Sequence, residues 1–98
     1  MIKLDDFLAL LEEGNCADLL SPHLRALCHD HLGDWDRAHE IVQEMDDFDA
    51  ARIHAYLHRK EGDVWNSRYW HRRAGTLFRD DLTLEEEWLE LVKAMLQR

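Results

Sequence analysis

Very little in this chain interrupts regular structure. Its 98 residues include one proline and four glycines, too few to punctuate many short strands or a flexible linker, so long elements with tight joints are expected. β-Branched residues are sparse, while Leu, Ala, Glu and Arg are abundant, a balance that favours helix. No apolar run approaches the roughly 20 residues that cross a bilayer. The N-terminal MIKLDDFLALLEEG is acidic and amphipathic, without the apolar stretch of a signal peptide. There is no Gly-rich phosphate loop, no GxSxG and no CxxC. Of the serines, Ser21 reads as a helix cap and Ser67 as a small packing residue. The common motif-borne routes to nucleotide binding and nucleophilic catalysis are therefore missing, and neither a cofactor nor a reaction is assigned. The two cysteines, Cys16 and Cys28, lack a secretory context and are expected as buried, reduced thiols in a cytoplasmic protein.

What is present describes one globular domain over residues 1–98, with 46% hydrophobic and 34% charged residues. A chain of this length closes one hydrophobic core and has little room for a large enclosed cavity. The net charge of −9 disfavours nucleic acid and anionic membrane as partners, since both require a positive face. That charge is uneven. Between Ala51 and Arg79 lie seven basic residues (Arg52, Arg59, Lys60, Arg68, Arg72, Arg73, Arg79) and two acidic ones (Glu61, Asp63), a net of +5 that leaves −14 for the remainder. Either neighbouring helices balance these charges, or a basic surface awaits a partner.

Start and stop signals divide the chain into about six helices. The first runs from Leu4 to Glu13 and ends at Gly14. Ser21-Pro22 opens the second, with a serine cap and proline at the first helical position; Gly33 ends it. Asp34 caps a third that carries Trp35, Ala38, Ile41, Val42 and Met45 on one stripe. An acidic joint, Asp46 to Asp49, precedes the fourth, Ala50 to Glu61. Asp63 caps the fifth, Val64 to Ala74, and Thr83 with Glu86 forms a capping box for the last.

The middle repeats itself. A shift of 29 residues lays Leu24 on Ile53, Ala26 on Ala55, His29 on His58, Gly33 on Gly62 and Asp34 on Asp63. In LCHDHLGDWDRAHEIVQ and IHAYLHRKEGDVWNSRYWHRRAG the small residue of the first helix, the Gly-Asp corner and, in the first copy, Trp35 and Ala38 resemble tetratricopeptide repeats. The second copy departs at Val64 and Ser67, and the spacing is shorter than that family's period. The resemblance implies an all-α fold of two degenerate hairpins, about 21–45 and 50–74, flanked by an N-terminal and a C-terminal helix. The stretch from Gly33 to Gly75 with its LEEEW sequel is also similar to small proteins sharing a GDWDxAHExxQ … IHAYLHRxEGDxxNxxYWxRRAG pattern, which implies no particular activity.

Two sets of residues are candidates for function. Seven histidines are many for this length. On the fourth helix His54 and His58 share the arc of Ala50, Ala51, Ile53 and Leu57, opposite Arg52 and Arg59. They are expected to face inward, with His39 at the edge of the third helix's stripe. Three such imidazoles are either a metal or small-ligand site, or neutral packing groups. The fifth helix, VWNSRYWHRRA, carries Val64, Ser67, Trp70, His71 and Ala74 on one stripe, expected in the core, and Trp65 and Tyr69 on another. The second stripe is covered by the last helix or offered to a partner. In the latter case Trp65, Asn66, Tyr69, Arg72 and Arg73 form a basic-aromatic surface of the kind that dominates interfaces. The expected function is then a protein- or peptide-interaction module for an acidic partner. The alternative is a metal- or small-ligand-binding domain around His39, His54 and His58.

Overall fold

The computed structural model describes residues 2–98. Among them are six α-helices and no strand: α1 (Leu4–Glu13), α2 (Pro22–His31), α3 (Trp35–Gln43), α4 (Phe48–Lys60), α5 (Val64–Ala74) and α6 (Leu84–Leu96), with one 3₁₀ turn at Cys16–Asp18. The all-α reading and the number of helices are those expected. Most boundaries follow from caps. Ser21 Oγ accepts from the Leu24 amide, Asp34 from Arg37 and Asp63 from Asn66. Thr83 and Glu86 close the capping box in both directions. Each of these contacts satisfies an amide that the first turn of a helix leaves without a partner.

Two boundaries move by two residues, and α4 also ends one residue early, at Lys60. α3 ends at Gln43, so Met45 lies beyond it. α4 starts at Phe48 because Asp47, from the acidic joint, accepts the Ala50 amide as its cap. The joint thereby shortens to a tight link.

The duplicated corner is one structure made twice. Gly33 and Gly62 both sit at φ +90°, a left-handed backbone that side chains other than glycine rarely adopt. At each corner the glycine amide donates three residues back, Gly33 to Asp30 and Gly62 to Arg59, both at 3.0 Å. The following aspartate amide donates to the equivalent histidine carbonyl, Asp34 to His29 and Asp63 to His58, both at 2.9 Å. These turns fold α2 against α3 and α4 against α5.

The layers meet on α4, which touches α2, α3, α5 and α6. Its residues Ala50, Ala51, Ile53, His54, Ala55, Tyr56, Leu57 and His58 are all buried. α6 packs on α1, α2 and α4 and inserts Trp88 beside Phe7, with the indole N–H donating to the Leu27 carbonyl at 2.9 Å. Ile53, Leu57, Leu27, Leu91 and Val92 complete the dry centre.

One expectation is overturned. Cys16 and Cys28 are joined in a disulfide that ties the 3₁₀ turn to α2. The turn after α1 carries Cys16 back against α2, a proximity that the bare spacing of the cysteines does not show. With both thiols in a disulfide, the cysteines no longer point to a cytoplasmic setting. No described helix is long and apolar enough to cross a membrane.

The disulfide spans 12 positions, and closing a loop of this size removes about 3 kcal/mol of unfolded-state freedom. Denaturant unfolding with and without reductant should show a stability loss of about that size, and a Cys16→Ser/Cys28→Ser protein should match the reduced form. Indistinguishable midpoints would show that the crosslink contributes nothing.

Candidate functional site

α3, α4 and α5 build the site between them. A helix buried on most of its circumference must place its polar side chains against neighbours, and α4 does so on two sides. On the α6 side, Arg59 donates to Glu87 at 2.7 Å and also to the Leu82 carbonyl, while Arg52 pairs with Glu90 at 3.3 Å. On the other side, toward α3 and α5, stand His54 and His58, both buried.

There the imidazoles come together. His39, half-buried on α3, meets His54 edge-on at 4.6 Å between ring centres and His58 at 5.4 Å. His54 and His58, one turn apart, lie 4.8 Å apart. One ring nitrogen from each of the three falls within 4.8 Å of the others. Two indoles bracket the group: Trp35 stacks on His39 at 4.9 Å and Trp70 on His54 at 3.9 Å. Trp35 is itself fixed to α4, because its indole N–H donates to the Leu57 carbonyl at 2.7 Å.

The hydrogen bonds of the three rings differ. His58 Nδ1 pairs with Glu61 Oε1 at 3.0 Å, which leaves Nε2 as its second nitrogen. His39 and His54 make no hydrogen bond to a described residue; the other histidine partners are Asp47 for His23 and Thr76 for His71. Burial, followed by the neighbouring His39 and His58, pushes the His54 imidazole down to about 3. His39 is lowered as well, first by burial and then by His58. Both rings are therefore neutral at pH 7 and keep a lone pair.

The second set lies along α5, and α6 does not cover it. Trp65 is 71% exposed and Val64, placed on the core stripe by periodicity, is exposed too. Ser67 and His71 are the residues of that stripe that reach the interior, Ser67 donating to the Ala55 carbonyl at 2.7 Å. Trp65, Tyr69 and Arg73 form one ridge at four-residue intervals. Tyr69 lies parallel to Trp65, and Arg73 donates to the Tyr69 hydroxyl at 3.1 Å. The Arg73 guanidinium also sits 5.2 Å from the Trp70 ring centre. Arg68 and Arg72 form the adjacent ridge, with Arg68 over Phe78 at 4.8 Å. Asn66 is turned away from this surface, because its amide nitrogen donates to Asp63 Oδ2 at 2.7 Å and completes the cap.

Trp70 joins the two sets. One neighbour of its ring is His54; Tyr69 and Arg73 are others. Sequence reasoning assigned it to the core and missed this role. A cleft of about 110 Å³ opens beside it, with Asp46 and Asp47 as well as Phe48, Ala51, Trp70 and Arg73 among its walls. A larger cavity, about 510 Å³, lies elsewhere, among Ile2, Leu19, Leu20, Leu24, Met95 and Leu96, and holds none of the candidate residues.

The structure also divides the basic segment. Arg52 and Arg59 pair with α6, Lys60 with Asp30, and Arg79 with Asp81 and Glu90. Among the described residues no carboxylate lies within ion-pair distance of Arg68, Arg72 or Arg73, all on α5. No family model matches the chain, and neither a curated protein nor a solved structure matches it significantly.

His71, at the inner end of α5, is held down to about 4 by burial, then by Arg52, Arg59 and Arg79. An unfolded histidine titrates near ~6.5. Its contribution to stability is thus complete above that pH and drains away as the pH falls toward about 4. Replacing His71 with Gln should make the loss of stability over this window shallower in denaturant titrations. Equal slopes for both proteins would show that His71 is not held neutral.

Proposed function

We propose that the chain is a protein-interaction module that uses the outer face of α5 to bind an acidic segment of a partner. The observation that carries this reading is the set of three guanidiniums, Arg68, Arg72 and Arg73, left without carboxylates on one helix of a protein that carries net charge −9. In a chain with 21 acidic side chains, pairing each arginine internally is easy, and four other basic residues of the same segment are paired. The unpaired three stand beside Trp65 and Tyr69, which offer stacking area at small entropic cost.

Arginine held over an aromatic face keeps its N–H donors directed outward for a carboxylate. Arg68 over Phe78 and Arg73 between Tyr69 and Trp70 are arranged in this way. Electrostatic attraction acts over about 8 Å at physiological salt; Asp46 and Asp47 share a cleft with Arg73, so an acidic segment is drawn to the Arg68 and Arg72 side of the ridge, away from them. The small extent of the positive face argues against a long nucleic-acid backbone.

Selection from a displayed random-peptide library tests the reading. Peptides enriched on the wild-type protein should be rich in Asp and Glu, and binding should weaken as salt is raised. Arg72→Glu/Arg73→Glu should reduce the affinity by roughly 100-fold, as for the loss of charged hot-spot residues. Trp65→Ala should reduce it by roughly 10-fold. Enriched peptides without acidic bias, or unchanged affinity after charge reversal, would contradict the proposal.

A further inference from the structure

We propose that His39, His54 and His58 form a binding site for a first-row transition-metal ion of the zinc class, with three imidazole ligands and one coordination position left for solvent or a ligand. This site is separate from the arginine ridge and stands on different observations. The first is convergence: three side chains from two helices each bring a ring nitrogen within 4.8 Å of the other two. A tetrahedral ion with bonds of about 2.0–2.1 Å to nitrogen draws such ligands closer together, a movement within reach of small side-chain rotations.

The second observation is the arrangement around the rings. His54 and His58 are four residues apart on one helix, the spacing of a helical chelate. Glu61 engages Nδ1 of His58 at 3.0 Å, which fixes the tautomer and leaves Nε2 as the ligating nitrogen. A carboxylate behind a histidine ligand is the usual outer-shell device for orienting the ring and raising its basicity. Trp35 and Trp70, stacked on His39 and His54, hold those rings in place without occupying their nitrogens.

The third is what these rings lack. Neither His39 nor His54 hydrogen-bonds to a described residue, so their converging ring nitrogens remain available as ligands. Packing alone would be served as well by apolar residues. The donor set also selects the class of ion. Imidazole suits Zn²⁺, Cu²⁺ and Ni²⁺, whereas Ca²⁺ and Mg²⁺ require oxygen ligands. Both cysteines are committed to a disulfide, so no thiolate competes for a softer ion. His39, half-buried at the rim, gives the ion a way in.

The test uses the full chain without an affinity tag, freed of metal by chelator and titrated with ZnCl₂ in excess Mg²⁺ by calorimetry. One ion per chain is expected. Co²⁺ in its place should give the visible bands of a tetrahedral nitrogen site, and Cu²⁺ should quench tryptophan emission through Trp35 and Trp70. His39→Asn, at the rim and checked for folding by circular dichroism, should weaken Zn²⁺ at least as much as losing an outer-shell partner does, roughly 10- to 100-fold. His31→Asn, on an exposed part of α2, should bind as wild type does. Absence of stoichiometric Zn²⁺ binding by the wild-type chain would overturn the proposal. So would undiminished binding by the His39 variant, or an equal loss in the His31 variant. None of these readouts depends on the arginine ridge, so this site and the interaction surface stand or fall separately.

Discussion

The enclosure of α4 is the constraint from which the rest of the molecule follows. A helix with neighbours on most sides can expose few of its own polar groups, and those it carries must be satisfied inside the fold or left neutral. α4 uses both solutions, on opposite sides. Arg52 and Arg59 are neutralised by α6 through Glu90 and Glu87, so the C-terminal helix closes the core and also supplies counter-charge. Toward α3 and α5 the same helix presents His54 and His58, where burial suppresses the charge on His54. Moving α4 by one residue would rotate the imidazoles away from Trp35 and Trp70 and bring the arginines toward an apolar wall.

α5 is shaped by the opposite condition. It packs on α4 through Ser67 and His71, with Trp70 half-buried against His54, and its outer face stays wet. Its last turn carries His71, Arg72 and Arg73, where positive charge complements the helix dipole. That local stabilisation accounts for some of the arginine there. It does not account for the aromatic ridge beside it, since Trp65 gains little burial within the chain. Trp70 connects the two regimes, with one neighbour inside the protein and others at its surface.

Much of this was legible in the sequence because it is written in local chemistry. Caps at Ser21, Asp34, Asp63 and Thr83 and the left-handed glycines at 33 and 62 depend on residues a few positions apart, and the helices they bound are the ones found. The inward turn of His54 and His58 followed from one helical wheel. What was not legible depends on which elements meet. The acidic joint held several possible caps, and only its geometry selects Asp47. The disulfide requires the turn after α1 to return to α2. Whether Trp65 is covered depends on the direction taken by α6, and the role of Trp70 depends on α3, α4 and α5 meeting at one point. Periodicity put Val64 in the core because a helical wheel assigns faces without showing how far the neighbouring helix extends.

The juxtaposition of α3, α4 and α5 around the three imidazoles is best tested by nuclear Overhauser contacts between ring protons in solution. Cross-peaks should link His54 to the Trp70 indole, His39 to the Trp35 indole, and His39 to both His54 and His58. Contacts from His54 or His58 to the side chains of α6 instead would mean that α4 is turned the other way round, and would contradict the arrangement on which the enclosure of α4 and the three-imidazole site rest.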